Sequence, residues 1–370
     1  MRNLIVILAF LLLYGCQTGS VKDAQDPSSG SFYVGTYTGS GSMGIYRCIM
    51  HKDGSLGKIC LVARTENPSF LTFCTDGEFL LAVNENSPEG TVELYSEKGD
   101  SLILIDRGSS GGAHPCFISV NEEGWILTAN YSSGTVGLLN IDSTGGLGEL
   151  LDVQQHTGSG TTERQQGPHA HSAWFVPVSK LVISVDLGTN ELWFSELNTI
   201  RKKLVPAEQV KLSMDPGAGP RHLAFHPELP WIYVVNELNS TVTLVMKNKS
   251  GFYERGQSFT TLPEDYDGAN YCADIHISSD GKFVYASNRG NNSIAIFKAD
   301  QKDGTLKPVG HQSTCGEWPR NFTLSPCENY LLVANQHSDN IVSLKRDKYT
   351  GLIEPVDTIS IPSPVCILFR

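Results

Sequence analysis

Three segments of the chain carry a basic or imidazole side chain at the same distance from a following proline. His171, Arg221 and Arg320 each stand six residues before a proline. Guanidinium groups bind carboxylates and phosphates through paired hydrogen bonds, and an imidazole exchanges a proton near neutral pH. If the fold brings these side chains together, they predict a site that binds an anion and transfers a proton.

A second set of polar residues follows a repeated asparagine or aspartate. The repeated residue ends an apolar run at Asn84, Asn130, Asp186, Asn236, Asn288 and Asn335. We expect it to be structural, because asparagine and aspartate side chains bond nearby backbone where a strand ends. The residue that follows it differs from copy to copy, and in two copies it is Glu237 or Arg289. These following residues are therefore candidates for function.

The repeated residue marks a unit of about fifty residues, since its copies are 46, 56, 50, 52 and 47 residues apart. Each unit has a short apolar run, a turn rich in Pro, Asp, Glu, Asn and Gly, a second apolar run, a polar turn, a third run and a weaker fourth. This pattern predicts an all-β fold, a β-propeller with four antiparallel strands per blade. Parallel α/β folds are disfavoured because the connections are too short for crossover helices.

The two ends of the chain add a seventh unit to the six complete ones. Residues 363–369 resemble a first strand with nothing after it, whereas residues 32–60 resemble second, third and fourth strands with nothing before them. Joined, they form one blade that both termini close. We therefore predict a seven-bladed propeller over residues 32–370.

Both sets of candidate residues are predicted to ring one mouth of the central channel. The starts of the first strands supply Ser69, Cys116, His171, Arg221, Asp274, Arg320 and Val365. The residues after the repeated Asn or Asp, or at the equivalent place, supply Tyr37, Glu85, Tyr131, Leu187, Glu237, Arg289 and Gln336. Six of these side chains lie in four consecutive blades and predict a one-sided polar cleft, namely His171, Arg221, Glu237, Asp274, Arg289 and Arg320. We expect His169, Asp274, Arg320 and Gln336 to contact the substrate there.

Two other interpretations of these residues stay open. The three arginines would only tie blades together if they paired with Glu237 and Asp274, although three cations exceed what two carboxylates require. His169 and His171 form an H-x-H pair of the kind that binds metals, but no third ligand stands at an obvious spacing. We predict an anionic ligand, with no metal and no other cofactor.

Composition limits the partners of the chain. Its 370 residues are 40% hydrophobic and 18% charged, which is enough apolar material for a large core. The net charge of −11 makes nonspecific attraction to nucleic acid or anionic lipid unfavourable. A small anionic molecule is the expected partner, nucleic acid is not, and the oligomeric state is not indicated.

The first residues have the pattern of an export signal. A basic residue precedes an apolar run at 4–13, which is too short to span a membrane. Gly15 and Cys16 resemble the bacterial lipobox, although Tyr14 replaces the usual small residue. We predict a lipoprotein signal peptide over 1–16 with lipidation at Cys16, and a flexible tether over 17–31. The protein would then be exported and held to the cell envelope, on its periplasmic side or outer surface, by this lipid alone. A plainly secreted form is the alternative.

Four motifs in blade order resemble the seven-bladed β-propeller lactonase family, which includes bacterial 6-phosphogluconolactonase and the fungal carboxy-cis,cis-muconate lactonizing enzyme. They are GAGPRH at 217–222, NELNS at 236–240, ADIH at 273–276 and SNRG at 287–290. The similarity extends from about residue 32 to residue 370. The resemblance implies a site of one His, two Arg and one Glu, which correspond here to His171, Arg221, Arg289 and Glu237. The known phosphogluconolactonase is cytoplasmic, so the predicted export is a departure from the family.

The expected activity is metal-independent hydrolysis of an anionic sugar or sugar-acid lactone, such as 6-phosphogluconolactone or an unphosphorylated relative. Arg221 and Arg289 would stabilise the oxyanion, Glu237 or His171 would accept the proton of water, and Arg320 would hold a remote anionic group. One alternative is a muconate-type lactonizing cycloisomerase. Another is a noncatalytic exported propeller that binds carbohydrate or protein.

Overall fold

A computed structural model describes residues 30–74, 77–142 and 145–370 of the chain. In these ranges the chain forms seven four-stranded antiparallel sheets. Each sheet is one blade, and its strands follow one another outward from the strand that lines the central channel. The predicted all-β, seven-bladed propeller is confirmed. The predicted signal peptide with Cys16, and the predicted tether up to residue 29, lie outside the described residues.

The strands are numbered along the chain. The last blade receives β1 (Gly30–Thr36), β2 (Gly44–Met50) and β3 (Cys60–Arg64). Blade 1 has β4 (Pro68–Phe73), β5 (Phe79–Asn84), β6 (Thr91–Lys98) and β7 (Ser101–Ser109). Blade 2 has β8 (Pro115–Val120), β9 (Trp125–Asn130), β10 (Thr135–Asn140) and β11 (Asp152–Gln155). Blade 3 has β12 (Ala170–Phe175), β13 (Leu181–Asp186), β14 (Glu191–Asn198) and β15 (Lys203–Ser213).

Blade 4 has β16 (Pro220–Phe225), β17 (Trp231–Asn236), β18 (Thr241–Lys247) and β19 (Tyr253–Thr260). Blade 5 has β20 (Tyr271–Ile277), β21 (Phe283–Arg289), β22 (Ser293–Ala299) and β23 (Leu306–Ser313). Blade 6 has β24 (Pro319–Leu324), β25 (Tyr330–Asn335), β26 (Asn340–Arg346) and β27 (Ile353–Ser360). The final strand is β28 (Pro364–Phe369), and two short 3-10 helices cover Thr38–Ser40 and Glu163–Gln165.

The last blade closes the ring as predicted. Strand β28 is its innermost strand and pairs antiparallel with β1, where Val34 is opposite Ile367. The two ends of the described chain are thus hydrogen-bonded to each other within one sheet. Strand β28 also packs against β4, so the last blade contacts blade 1 and the ring is closed.

The apolar core lies between neighbouring blades. The second strands are the most buried, and every residue of β17 and of β25 is buried because both faces of the strand are covered. The outermost strands are far more exposed, and in β27 only the first residue, Ile353, is buried. One interblade cluster joins Tyr233 and Val235 of blade 4 to Val284 and Ala286 of blade 5. Each blade is therefore held mainly by apolar contact with its neighbours.

The repeated asparagine is structural, as predicted. The Nδ2 atom of Asn130 donates to the carbonyl of Ser110, and that of Asn288 donates to the carbonyl of Thr261. In each case the accepting residue follows the outermost strand of the preceding blade. The side chain thus fixes the loop that enters the blade, and with it the start of the next inner strand.

A β-bulge at the start of each inner strand turns one extra side chain toward the channel mouth. In blade 4, Pro220 pairs with Asn236 and His222 with Val235, so Arg221 is the extra residue. The same shift gives Ser69, Cys116, His171, Arg320 and Val365 in five other blades. Bulges often re-aim a side chain in this way beside functional sites. The predicted equivalence of these positions is confirmed.

The prediction that Asp274 shares this position is wrong. In blade 5, Cys272 pairs with Asn288, as Pro220 pairs with Asn236 in blade 4. The position that corresponds to Arg221 is therefore Ala273, and Asp274 lies one residue further into the channel. Ala273 stands 15 residues before Asn288 and Asp274 stands 14 before it, and both spacings occur at this position in other blades, so the sequence did not distinguish the two residues.

Candidate active site

We call the channel mouth that the candidate residues ring the rim. Glu237 lies on the rim directly after β17, and its carboxylate contacts three guanidinium groups. Its Oε2 atom is 2.7 Å from Nη2 of Arg289 and 3.2 Å from Nε of Arg221. Its Oε1 atom is 3.1 Å from Nη2 of Arg164. The side chains of Glu237, Arg221 and Arg289 are only 6%, 3% and 5% exposed, so water screens these pairs weakly.

These cations determine the protonation state of Glu237. Burial alone would raise the pKa of its carboxyl group, but Arg289, Arg221 and Arg164 outweigh burial and lower the pKa to about 2. Burial, together with the cations Arg289 and Arg320, lowers the pKa of Arg221 to about 10. At neutral pH Glu237 is therefore a carboxylate beside protonated arginines. A carboxylate of such low basicity is a poor general base.

The backbone of β20 holds both buried arginines from below. Nη1 of Arg221 donates a short hydrogen bond to the carbonyl of Ala273. Nε of Arg289 donates to the carbonyl of Tyr271 over 3.2 Å, and its Nη2 donates to that of Cys272 over 3.1 Å. Three successive carbonyl groups of one strand thus orient two guanidinium planes toward the rim.

Arg164 completes the cluster, and the sequence analysis missed it. It lies on the 3-10 helix in the long connection from β11 to β12, and its side chain is 49% exposed. Its Nη2 atom also donates to the hydroxyl of Tyr131 over 2.9 Å. The signal that points to this residue is the interval of 56 residues between Asn130 and Asp186, the longest of the series. An insertion at the mouth of a channel is where a loop can add a side chain to a site.

Arg320 belongs to a second group on the rim. Its Nη2 atom is 3.9 Å from Oε2 of Glu85, and its guanidinium carbon lies 5.1 Å from the ring centre of Tyr37. The hydroxyl of Tyr37 donates to the same Glu85 oxygen over 2.8 Å. Burial would lower the pKa of Arg320, but Tyr37 and Glu85 outweigh burial and raise the pKa. A guanidinium with one distant carboxylate partner has hydrogen-bonding capacity left for a ligand.

Two imidazoles lie beside Tyr131, which follows β9. His171 is buried, with Nδ1 3.7 Å from Sγ of Cys116. Burial, aided by the nearby Arg221, holds the pKa of His171 well below its ordinary value of 6.5, so it is neutral at pH 7. His169 stacks on Tyr131 with ring centres 4.5 Å apart, and its Nδ1 is 3.0 Å from the Tyr131 carbonyl. His171 is thus a neutral imidazole at pH 7, and His169 lies against Tyr131 at the same mouth.

Gln336 and Trp318 border the same mouth. The Oε1 atom of Gln336 is buried and has no hydrogen-bond partner among the described residues. The ring centre of Trp318 lies 5.3 Å from the guanidinium carbon of Arg289. An unpaired buried acceptor costs free energy, so Gln336 is suited to accept a hydrogen bond from a ligand hydroxyl.

Comparison with known proteins decides the family. The family model described as "Lactonase, 7-bladed beta-propeller" matches residues 31–369, nearly all of the described chain. The chain belongs to this lactonase family. Its similarity to family members is spread over the whole propeller and is not confined to the rim.

Three relatives illustrate the likeness of this propeller lactonase to known proteins. The 6-phosphogluconolactonase of Bacillus subtilis is 36% identical over 343 residues, which cover 91% of this chain and 97% of that protein. The periplasmic gluconolactonase of Pseudomonas aeruginosa has a TM-score of 0.88 at 30% identity, covering 92% and 99%. A protein of Bacteroides fragilis described as a putative 6-phosphogluconolactonase has a TM-score of 0.87 at 34% identity, covering 94% and 99%.

The structure brings three of the four residues that the resemblance singled out into direct contact. Glu237, Arg221 and Arg289 form one cluster, and Arg221 lies near enough to His171 to influence its pKa. Glu237 does tie blades together in this lactonase, since Arg221 and Arg289 come from different blades. Ties between blades do not account for Arg164 and Arg320, because with them the rim carries more guanidinium groups than carboxylates.

Asp274 does not join this cluster. Its carboxylate is buried, with Oδ1 2.8 Å from Nδ1 of His222 and Oδ2 2.6 Å from Nδ2 of Asn321. Burial would raise the pKa of Asp274, but His276 and His222 outweigh burial and lower it. No arginine of the described chain forms an ion pair with it. In this propeller lactonase Asp274 therefore lies beneath the rim rather than on it.

Aromatic side chains close the channel below the rim. The rings of Phe70 and Phe117, and those of Phe117 and Trp174, have centres 4.6 Å apart. Beyond them, the far ends of the seven inner strands enclose a cavity of about 470 Å³ at the opposite mouth. Asp274 and Asn321 line this cavity, and both are already bonded to protein groups.

Metal-binding clusters and membrane-spanning helices are absent from the described residues. Across residues 30–74, 77–142 and 145–370, no three His, Cys, Asp or Glu side chains converge to hold a metal, so the H-x-H pair has no third ligand there. In the same ranges no helix has the length and apolar character needed to cross a bilayer.

Proposed function

We propose that the protein hydrolyses the lactone of a sugar or sugar acid that carries negative charge, in the manner of a 6-phosphogluconolactonase. The observation that carries this proposal is the excess of guanidinium groups at one buried rim. Arg164, Arg221, Arg289 and Arg320 face the carboxylates of Glu237 and Glu85. Such an excess favours an anionic ligand and a negatively charged transition state. The names of the relatives from Bacillus subtilis and Pseudomonas aeruginosa support the same activity.

Hydrolysis begins when water attacks the carbonyl carbon of the lactone. The carbonyl oxygen gains negative charge, and Arg221 and Arg289 stabilise this oxyanion. His171 accepts the proton of the attacking water because it is neutral at pH 7. The bond between the carbonyl carbon and the ring oxygen then breaks, and protonated His171 returns the proton to the departing alkoxide. The product is the open-chain hydroxy acid.

Glu237 orients the guanidinium groups and does not act as the base. Its contacts with Arg289, Arg221 and Arg164 lower its pKa to about 2, which leaves it too weakly basic to deprotonate water efficiently. The same contacts hold three guanidinium groups in one place before the substrate arrives. Preorganised charge of this kind lowers the barrier because no reorganisation is needed during the reaction.

The remaining rim residues bind the rest of the substrate. Arg320 binds its phosphate or carboxylate, since its own carboxylate partner is 3.9 Å away. Gln336 accepts a hydrogen bond from a sugar hydroxyl through its unpaired Oε1 atom. His169 and Tyr131 present a stacked surface to the sugar ring. Asp274 has a different role, because it is buried under the rim.

No step of this mechanism uses a metal, so we propose a metal-independent reaction. We also propose that the protein is exported, with a signal peptide over residues 1–16, lipidation at Cys16 and a tether up to the first strand. A periplasmic gluconolactonase with the same fold supports an exported location for such an activity.

Titration of the acid released on lactone opening tests the proposal. The purified protein is assayed with 6-phosphogluconolactone and with plain gluconolactone, with and without a chelator. We expect turnover that the chelator does not change. Arg320→Ala should lower kcat/KM about tenfold to hundredfold for the phosphorylated lactone and much less for the plain one. Arg255→Ala, a partly exposed arginine paired with Asp215 on an outer strand, is the control and should change neither rate.

Two results would reject this assignment. Loss of muconate absorbance without lactone opening would indicate a lactonizing cycloisomerase. Binding of carbohydrate or protein without turnover of any lactone would indicate a noncatalytic propeller. If Arg320→Ala slowed both lactones equally, Arg320 would belong to the reaction centre and not to a remote anion site.

A further inference from the structure

A buried carboxylate that the mechanism does not use lies directly under Arg221. The Oδ1 atom of Asp274 is 2.8 Å from Nδ1 of His222 and accepts the backbone N–H of Ile275 over 3.0 Å. Its Oδ2 atom accepts Nδ2 of Asn321 over 2.6 Å and is 3.3 Å from Nε2 of His276. Both oxygens are thus occupied by protein donors. Asp274 belongs to the framework of the channel and is not free to bind substrate.

The Asp274 contact determines which nitrogen of His222 carries the proton. A carboxylate only accepts hydrogen bonds, so the proton of neutral His222 is on Nδ1 and the lone pair is on Nε2. His222 is neutral at pH 7, because burial and the nearby Arg221 lower its pKa to about 4. Its Nε2 atom is 3.5 Å from Nη1 of Arg221, a group that only donates. The imidazole therefore offers Arg221 an acceptor on the side away from Glu237.

The bulge in β20 creates both halves of this arrangement. Ala273 takes the bulge position, and its carbonyl accepts Nη1 of Arg221. The next residue, Asp274, has its backbone N–H bonded to the hydroxyl of Ser287 over 3.0 Å. One local distortion of the strand thus places a carbonyl under Arg221 and a carboxylate behind His222. The corresponding residues in blade 4 are Arg221 and His222 themselves.

We propose that Asp274 and His222 are positioning residues, which hold the guanidinium of Arg221 in the orientation that stabilises the oxyanion. Asp274 fixes the tautomer of His222, and His222 with the Ala273 carbonyl fixes one edge of Arg221. Glu237 forms an ion pair on the opposite side, with Oε2 3.2 Å from Nε but without an aligned hydrogen bond. The kinetic consequence rests on the proposed lactonase function, whereas the tautomer and the contact with Arg221 do not.

The chain offers a matched control in His276. This residue also contacts Asp274, yet its side chain is 36% exposed and packs on Phe322, with no contact to Arg221. A variant at His276 removes an imidazole from the same carboxylate and leaves the contacts from Asp274 through His222 to Arg221 in place. It separates a positioning role from a general need to satisfy buried Asp274.

The kinetic test compares His222→Leu, His222→Gln and His276→Leu with the wild type on a lactone that the wild type hydrolyses. Leucine fits the surroundings of His222, since the rings of Phe117 and Phe70 lie 5.4 and 6.0 Å from the imidazole. We expect His222→Leu to lower kcat about a hundredfold with KM little changed, because misplacement of a catalytic group acts on the transition state. His222→Gln should recover part of kcat, because its amide oxygen also accepts from Arg221. His276→Leu should stay near the wild type.

A structural readout keeps this inference separate from the proposed function. In protein labelled with 15N-histidine, the imidazole shifts at pH 7 should show His222 with its proton on Nδ1, and Asp274→Asn should change that tautomer. An Nε2-protonated His222 in the wild type overturns the inference whatever the activity is. Equal kcat losses in His222→Leu and His276→Leu, or undiminished kcat in His222→Leu, also overturn it. A wild type that opens no lactone rejects the proposed function, and the tautomer still decides the contact.

Discussion

Replacing Glu237 by glutamine tests the electrostatic argument for the rim. Glutamine keeps nearly the same shape and removes the charge that balances the two buried guanidinium groups of Arg221 and Arg289. The side chain is 6% exposed, so water cannot easily take the place of the carboxylate. We expect the variant to lose both stability and activity.

The size of the stability loss follows from the pKa of Glu237. The Glu237 pKa falls from its ordinary 4.5 to about 2, and each unit corresponds to roughly 1.4 kcal/mol, so ionisation contributes about 3 kcal/mol to the free energy of unfolding at pH 7. Removing one partner of a buried ion pair typically costs about 3–5 kcal/mol. The two values are of the same order. Because contacts in the folded protein lower this pKa, the contribution is complete above pH 4.5 and disappears as pH falls toward 2.

Urea unfolding of the wild type and of Glu237→Gln at pH 7 and pH 3 measures this difference. We expect about 3–5 kcal/mol at pH 7 and a clearly smaller difference at pH 3. Glu191→Gln is the control, since Glu191 pairs with Lys211 near the surface, and such pairs contribute about 1 kcal/mol or less. A difference below that of the control at pH 7, or one that does not shrink with falling pH, would refute the electrostatic reasoning. The fall of kcat/KM at low pH should remain in Glu237→Gln, because protonation of His171 causes that fall.

Three further variants test separate parts of the account. His171→Asn should lower kcat about 10²- to 10⁴-fold and remove the acid limb of the pH–rate profile, and a profile with the limb intact would show that His171 is not the base. Arg164→Gln should raise KM. The urea midpoint should change little, because the side chain of Arg164 is half exposed. An unchanged KM would show that Arg164 does not bind the substrate. Gly290→Ala should destabilise the protein more than Gly251→Ala. Both glycines have positive φ. A Cβ added at Gly290 would lie 2.1 Å from the Ala269 carbonyl oxygen, whereas one added at Gly251 meets nothing within 4 Å. Equal losses in urea unfolding would contradict the steric argument.

The fold could be predicted from the sequence because every blade repeats the same pattern. The second strands end in a repeated Asn or Asp, and that residue makes the same kind of bond to the preceding loop in blades as different as those of Asn130 and Asn288. The split last blade was predictable for the same reason. Strands β28 and β1 to β3 are the missing parts of one unit.

The site could be predicted only in part. The positions of Arg221, Glu237 and Arg289 follow from the repeat, since equivalent positions in a ring face one mouth. Asp274 was misplaced by one residue because the spacing to the repeated residue is 14 in one blade and 15 in others, which left Ala273 and Asp274 equally possible. Arg164 lies in an insertion that has no counterpart in the other repeats, so only the length of the interval pointed to it.

The role of each rim residue could not be derived from residue types alone. Glutamate and histidine are both ordinary general bases, so the sequence left Glu237 and His171 as equal candidates. The contacts separate them, because three guanidinium groups surround one and the other is neutral in a buried position. Such differences arise from distances between residues far apart in the chain, which composition and spacing do not contain.

The kcat of Arg289→Gln on a lactone that the wild type hydrolyses tests the central claim most directly. If buried guanidinium groups stabilise the oxyanion, this variant should lose about 10²- to 10³-fold in kcat while Arg255→Gln on an outer strand loses nothing. Equal kcat values for the wild type and Arg289→Gln would contradict the account.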